Sequence, residues 1–402
     1  MNDSLWRAIE DFSLDYPLSE YSFSIRLSYE NGWPANFTQK AITEYKKFMY
    51  LAATSDAMVS PSEIIDVVWH QHLIFTQSYD AFCQVLGKKI EHIPSSRKRD
   101  EFEKFKLAKE RTTKLYLDCF GEPPAEVWHY SEIYEALAMP KAKFKVSEVA
   151  LYIILACLGL IIPAFFMLEP IYKQIEGSFF LGIYIPVVLL MFFVLFLINE
   201  MQFKKAVLGW QKDAFIFNLS PFELLYLKTK QVYSIIHACV NMMIEQNKII
   251  VSGEYTLGLN PGSQAKNAAQ FAIIDAMDSE EKIPYYQLLQ KLRGKPVFLN
   301  AESMAVALKK YFNKSDFFVR LFTLNFSFLS VAFFLGCMRL VTGIMNGRPV
   351  GFLVFSLIAF IIGIVFFLKW LHNLHANAIL NYYNERVLPD HPEVNDWAWR
   401  YY

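Results

Sequence analysis

The stretch DVVWHQHLIFTQSY, residues 66–79, holds the side chains best suited to chemistry. Asp66 and His70 are four residues apart, a helical spacing that lets a carboxylate orient an imidazole or lets both side chains bind one ion. His72 follows two residues later, and residues two apart on a helix point about 200° away from each other. His70 and His72 are therefore not expected to bind one metal ion together.

A third metal donor would have to come from another segment. His92 in IEHIP and His129 in EVWHY are the nearby histidines. Asp66, His70 and His92 form a reasonable donor set for zinc or a similar divalent ion. No HExxH or CxxC motif supports that assignment. Three interpretations stay open: a structural polar cluster, a metal site, and a catalytic acid/base pair.

One long helix is predicted to carry this stretch near its middle. Ser60 is the expected N-cap, Pro61 suits the first helical position, Glu63 completes a capping box, and Gly87 is the expected end. His72 falls on the apolar stripe and is predicted to be buried with a hydrogen bond. The preceding segment FTQKAITEYKKFMYLAA is a second predicted amphipathic helix, with its apolar stripe at Ala41, Tyr45, Phe48 and Leu51.

Five segments occur in order across about residues 20–130: FSIRLSYENGW, AITEYKKFMYLAA, PSEIIDVVWHQHLIFTQSYDAFC, GKKIEHIP and FGEPPAEVW. In this order they resemble the N-terminal domain of glycine-rich domain-containing proteins, and D-x-x-W-H-x-H followed by H-x-P is the specific part of the pattern. The resemblance implies no established activity. It does imply that six residues act together: Asp66, Trp69, His70, His72, His92 and Pro94. Of these, Trp69, His72 and Pro94 are expected to form a structural cluster.

Apolar residues are concentrated in four segments that are long enough to cross a bilayer. The chain has 39 basic and 39 acidic residues, and 54% of it is hydrophobic. A helix rises 1.5 Å per residue, so about 20 apolar residues cross about 30 Å of hydrocarbon. The lipid bilayer is therefore an expected partner. The segments are 146–169, 178–200, 321–338 and 349–368, and short linkers at 169–177 and 339–348 join them into two helical hairpins.

Lysine and arginine near the ends of these segments predict the topology. Eleven of these basic residues lie near the segment ends that adjoin residues 1–145, 201–318 and 370–402. The only basic residues in the two hairpin linkers are Lys173, Arg339 and Arg348. By the positive-inside rule, those three regions and both termini are expected in the cytosol. The N-terminus has no signal-peptide pattern. The expected location is the cell membrane, with several passes.

Residues 201–318 are predicted to form a second cytosolic domain. LSPFELLYLK carries a capping box from Ser220 to Glu223, QVYSIIHACVNMMIEQNK is a second helix, and KIIVSGEYTLGLN alternates like a hairpin about Ser252-Gly253. Two helices followed by a hairpin give a winged-helix-like order. With its flanking hydrophobic hairpins, this region resembles a group of uncharacterised bacterial multi-pass membrane proteins. With 14 basic and 10 acidic residues across 203–316, nucleic-acid binding is disfavoured.

The predicted fold class is mostly α: an integral membrane protein with two transmembrane helical hairpins (four spans), a helical N-terminal cytosolic domain and a winged-helix-like middle cytosolic domain. The predicted boundaries are 1–140, 146–200, 201–318, 319–369 and 370–402. No P-loop, GxSxG or GxGxxG stands in a suitable context, so no enzyme class is indicated. The expected role is a membrane-anchored interaction or regulatory protein with protein partners or a homo-oligomeric state. The alternatives are a metal-dependent enzyme or sensor using the Asp/His cluster, and an oligomeric transporter or channel.

Overall fold

The computed structural model describes residues 2–93, 99–210, 214–253, 255–278 and 281–390. Over these described residues the structure is 75% helical with 18 helices, which confirms a mostly α fold. Pro94, one of the expected structural residues, lies outside the described residues. In chain order, the elements are α1 (Asp3–Asp11), α2 (Phe23–Asn31), α3 (Ala35–Thr54), α4 (Glu63–Ile74), α5 (Thr76–Leu86), α6 (Arg99–Phe120), α7 (Ala125–Trp128), α8 (Val146–Gly159), α9 (Ile161–Gln174), α10 (Gly177–Leu208), α11 (Pro221–Thr229), α12 (Val232–Glu245), β1 (Ile249–Ser252), β2 (Thr256–Leu259), α13 (Ala268–Asp278), β3 (Ile283–Pro284), α14 (Tyr285–Leu292), α15 (Pro296–Lys314), α16 (Asp316–Met345), α17 (Gly351–Leu371) and α18 (Leu374–Tyr382).

The first of two compact units comprises Met1–Leu137, Gln211–Leu308 and Tyr383–Tyr402. In its N-terminal part, α3 packs against α1, α2, α4, α5 and α6. The predicted stripe is confirmed, because Ala41, Tyr45, Phe48 and Leu51 are all buried. Burial of one large apolar side chain contributes about 1.5–3 kcal/mol, so this stripe is the main reason why five helices gather around α3.

The stretch at 66–79 does not lie in the middle of one long helix, and that prediction was wrong. Helix α4 begins at Glu63 with Ser62 as its N-cap, not Ser60. The Ser62 hydroxyl accepts from the Ile65 N–H at 3.2 Å and donates to the Val127 carbonyl at 2.6 Å, and this distant contact selects the cap. The chain then breaks at Phe75, whose ψ of 63° is not helical. The predicted end at Gly87 is confirmed for α5.

The second part of this unit combines short helices with a small sheet. The predicted capping box from Ser220 to Glu223 is confirmed at the start of α11. Strands β1 and β2 form the predicted hairpin, with Ile249 opposite Leu259 and Ser252 opposite Thr256. A third strand, β3, pairs with β2. It was not predicted because two residues are too few to show an alternating pattern.

The Glu223 carboxylate joins the two parts of the first unit. One of its oxygens accepts from the Ser220 N–H at 2.7 Å, and the other accepts from the Ala35 N–H at 2.7 Å. Ala35 is the first residue of α3, so a single buried carboxylate satisfies N–H groups at the starts of two helices. Burial raises the pKa of this carboxyl, although the backbone hydrogen bonds act in the opposite direction.

The second unit comprises Ala138–Trp210 and Lys309–Tyr382. Three of its helices are long and apolar enough to cross a membrane: α10, α16 and α17. Helices α8 and α9 pass the same test only when they are counted together as one bent span. The predicted linkers were too long, because α9 continues to Gln174 and α16 continues to Met345.

The bend between α8 and α9 measures 55° and falls at Leu160. Pro163 explains its position, because a proline ring clashes with the carbonyl four residues earlier, here that of Gly159, and provides no N–H for it. Helix α10 by contrast continues through Pro186.

A pair of asparagines joins α10 to α16. The Asn199 amide donates to the Asn325 side-chain oxygen at 2.8 Å, and Asn325 donates back at 2.9 Å. Each amide also donates to the carbonyl four residues earlier, Leu195 or Leu321, at 2.7 Å. Both side chains are fully buried, and all four of their N–H groups have acceptors.

We expect Glu223→Gln to lower the free energy of unfolding of the first unit by about 1–2 kcal/mol. The amide nitrogen would replace one acceptor oxygen and would face a backbone N–H donor. Thermal unfolding of the full-length protein in detergent, followed by tryptophan fluorescence, measures the change. Glu245→Gln, at the exposed end of α12, should stay within about 0.5 kcal/mol. Equal effects of the two substitutions would contradict a joining role for Glu223.

Candidate metal site

Helix α4 supplies two of the candidate donors. Asp66 lies in its first turn and His70 follows one turn later, so both side chains project from one face. Asp66 Oδ2 lies 3.8 Å from His70 Nδ1. His72 projects to the opposite side and is completely buried. The helix therefore separates the two histidines of the WHQH stretch, as their spacing predicts.

The third donor comes from the segment that follows α5. The Tyr79 hydroxyl accepts from Trp69 Nε1 at 3.1 Å and donates to the Ile90 carbonyl. These bonds hold the chain two residues before His92. The Trp69 ring then packs edge-on against the His92 ring, with centroids 4.7 Å apart. As a result, His92 Nε2 lies 2.9 Å from Asp66 Oδ1.

Asp66, His70 and His92 therefore form one cluster. Each residue offers one donor atom, and these atoms all lie within 4.8 Å of one another. The donor atoms around a tetrahedral zinc ion lie about 3.4 Å apart. Binding therefore requires side-chain rotations that move the donor atoms by about 1 Å. The His70 side chain is 57% exposed and has the space to make such a rotation. One carboxylate and two imidazoles are a donor set typical of zinc.

The cluster opens into a groove of about 810 Å³. The groove is bordered by the connection between α3 and α4, by the segment after α5 and by Phe105 of α6. Its volume falls in the range of small-molecule sites, about 300–1,000 Å³. An ion bound by the three donors would face this groove and would keep coordination positions for water or a ligand. Besides the cluster, the lining carries both signs of charge: Asp56, Glu63, Lys88, Lys89 and Glu91.

His72 has a different environment. Its Nδ1 is 2.8 Å from the Tyr45 hydroxyl and its Nε2 is 3.1 Å from the Ser78 hydroxyl. A neutral imidazole has one donor and one acceptor nitrogen, and each of these hydroxyls can serve as either partner. Burial lowers the pKa of His72 to about 4, so the ring stays neutral near pH 7. The hydrogen-bonded, buried histidine predicted from the apolar stripe is present.

The other candidate histidine lies elsewhere. His129 follows α7 and lines a small cavity with Ser60 and Thr112, apart from the Asp/His cluster. Tyr79 was missed as a positioning residue. Its place on the apolar stripe with His72 predicts burial, but helical spacing alone does not show that its hydroxyl would contact the Ile90 carbonyl.

The fold and the cluster define a class of protein: mostly helical, with helices able to span a membrane and an Asp/His cluster at an open groove. Residues 15–108 match the model of the UCP032817-like family, an uncharacterised family. The match covers less than half of the chain and includes the three candidate donors. The more specific resemblance to glycine-rich domain-containing proteins stays a prediction. No curated protein and no solved structure matches the chain.

We expect His72 to make the first unit less stable in acid. The folded-state pKa lies below the ordinary value of 6.5, at about 4, so the stabilisation is complete above pH 6.5 and is lost as the pH falls toward 4. The full loss is about 3 kcal/mol. Thermal unfolding of the full-length protein in detergent between pH 7.5 and 4 measures it.

A His72→Gln variant should be less stable at pH 7.5 but should lose less stability on acidification than the unsubstituted protein. His129→Gln is the matched control, because His129 is exposed, and it should keep the original pH profile. If His72→Gln kept that profile as well, the acid sensitivity would not come from His72.

Proposed function

We propose that this chain is a membrane-anchored, metal-dependent regulatory protein whose N-terminal domain binds a divalent ion such as zinc. The observation that supports the proposal is the convergence of Asp66, His70 and His92 at the open groove. Two donors come from one turn of α4 and the third comes from a separate segment. An ion would therefore link the helix to that segment and could change the shape of the groove.

The number of protein donors supports one of two kinds of metal site. Structural zinc sites are usually closed by four protein ligands, whereas sites that bind a ligand or substrate keep a position open. Three protein donors beside a groove of about 810 Å³ fit the second kind. We therefore propose a small-molecule or metal-sensing role. An enzyme is the alternative, and it would use the same open position.

We propose four spans, with α8 and α9 crossing the membrane together as one bent span. Four spans place both termini on the same side, and the eleven flanking lysines and arginines favour the cytosol for that side. The asparagine pair gives the transporter alternative no support. The amide N–H groups of Asn199 and Asn325 all have acceptors within the helix pair, so these two residues have no N–H group left to bind a transported solute.

We propose that the middle domain, winged-helix-like in its order of elements, serves as a protein-contact module. Its contacts within the first unit support this role. Besides the Glu223 bond to Ala35, Asn36 donates to the Asn218 carbonyl at 3.0 Å and Ser303 donates to the Tyr29 carbonyl at 2.7 Å. A conformational change in the N-terminal part would reach the middle part through these hydrogen bonds.

We expect the full-length protein to bind about one zinc ion per chain. Substitution of either histidine, as His70→Gln or His92→Gln, should weaken binding by roughly 100-fold or more, because loss of a ligand exceeds the 10–100-fold typical of residues that only support one. Equilibrium dialysis followed by elemental analysis gives the stoichiometry and affinity. His129→Gln is the control and should bind zinc normally.

Absence of a stoichiometric metal across zinc, manganese, iron and nickel would contradict the metal proposal. An affinity loss in His129→Gln equal to that in His92→Gln would also contradict it. The membrane placement has a separate test, so the two parts of the proposal can fail independently.

For the topology, we expect tags at both termini to resist protease added to intact cells, and a tag inserted after Gly347 to be cleaved. Four spans put both termini inside and the connection between α16 and α17 outside. Three spans would put the termini on opposite sides, because α8 and α9 would not cross. Cleavage of one terminal tag only would therefore contradict the four-span arrangement.

A further inference from the structure

A second cavity lies in the second unit, where four helix ends meet. It has a volume of about 630 Å³. The end of α9, the start of α10, the end of α16 and the start of α17 contribute to it. Two arginines, Arg339 and Arg348, line it together with apolar residues.

Backbone carbonyls hold both guanidinium groups in place. Arg339 donates to the carbonyls of Tyr172 at 2.9 Å and Ile175 at 2.8 Å. Arg348 donates to the carbonyls of Ile175 and Lys173, each at 2.6 Å. These carbonyls lie at the end of α9, and the last carbonyls of a helix have no N–H partner within the helix. Each guanidinium has five N–H groups, so both keep donors for another acceptor.

The charges at this cavity are not balanced. Arg339 is only 4% exposed, and within the described segments neither guanidinium is paired with a carboxylate. Among the lining residues, Glu176 is the one acidic side chain, and it is exposed. A buried cation without an opposite charge is costly in an apolar environment. The Tyr172 and Ile175 carbonyls and the rings of Tyr172 and Phe180 offset part of this cost, and a bound anion would supply the opposite charge.

Two helix starts add to the positive potential. Helices α10 and α17 begin at Gly177 and Gly351, and no side chain caps either of them. Gly177 and Ser178 from α10, with Phe352 and Leu353 from α17, line the cavity. The first N–H groups of a helix bind anions, and its dipole favours negative charge there. Two guanidiniums and two uncapped helix starts therefore meet at one cavity, and each of them favours negative charge.

The surroundings favour a lipid as the source of such an anion. Large apolar side chains in the two helix starts that line the cavity are highly exposed: Phe179 of α10 is 62% exposed, and Phe352 and Phe355 of α17 are 82% and 74% exposed. A soluble anion would leave these side chains uncovered, whereas the acyl chains of a lipid would pack against them. Basic pockets between membrane helices bind acidic headgroups in this way. We propose that this cavity binds the phosphate of an anionic phospholipid, whose acyl chains lie along these phenylalanines.

Native mass spectrometry of the full-length protein in neutral detergent tests the proposal. Phosphatidylglycerol and phosphatidylcholine of equal chain length are titrated separately. We expect one tightly bound phosphatidylglycerol per chain, with an affinity at least about tenfold above that for phosphatidylcholine. Arg348→Gln should weaken phosphatidylglycerol binding by about tenfold, as expected for the loss of one charge-assisted contact.

Two further variants keep the test decisive. Ser178→Asp puts a carboxylate in the first turn of α10, where it favours the helix but repels the phosphate, so it should fold and should also weaken binding about tenfold. Arg320→Gln is the matched control. It lies in α16 like Arg339, but near the other end, and it contacts Asp316. It should leave the affinity unchanged.

Three results would overturn the proposal. One is equal affinity for the two lipids. Another is a loss in Arg320→Gln as large as that in Arg348→Gln, which would indicate general attraction to basic surfaces. The third comes from a thermal-shift titration with inorganic phosphate: full stabilisation without lipid, reversed by Ser178→Asp, would identify a site for a free anion.

Discussion

Backbone N–H and C=O groups have no water partner in hydrocarbon, and the second unit contains helices long and apolar enough to cross a membrane. Long helices satisfy most of these groups internally, so the places where helices end or bend need special side chains. The end of α9 shows this directly, because Arg339 and Arg348 donate to its last carbonyls. The asparagine pair follows the same rule, since each amide donates once across the helix pair and once to its own helix.

Local chemistry predicted a large part of the fold. The α3 stripe and the Ser220–Glu223 capping box depend on residues within one or two turns, so spacing alone identifies them. The apolar helices follow from composition, because long segments with few charged residues stand out in the sequence. Prediction failed where a distant residue decides. Ser62 replaces Ser60 as the cap of α4 because the carbonyl of Val127, 65 residues away, accepts its hydroxyl.

The candidate site also has features that the sequence predicts and features that it does not. Asp66 and His70 were predictable as partners because helical spacing places them together. His72 was predictable as a core residue because the same geometry turns it away. His92 was proposed from its residue type, but the contacts that position it were not predictable. They pass through the Tyr79 hydroxyl to the Ile90 carbonyl, and no periodicity in the sequence encodes that hydrogen bond.

These contacts also decide what a bound ion could do. His92 belongs to a segment that is held to α4 through Trp69 and through the Tyr79 hydroxyl, whereas His70 is mostly exposed and has space to rotate. An ion would therefore draw His70 toward a fixed His92, and not the reverse. Because Asp66 and His70 share one rigid turn, the backbone of α4 has little need to move. The groove would change shape instead. The His70 ring would move out of the solvent and would border one side of the coordination position that stays open.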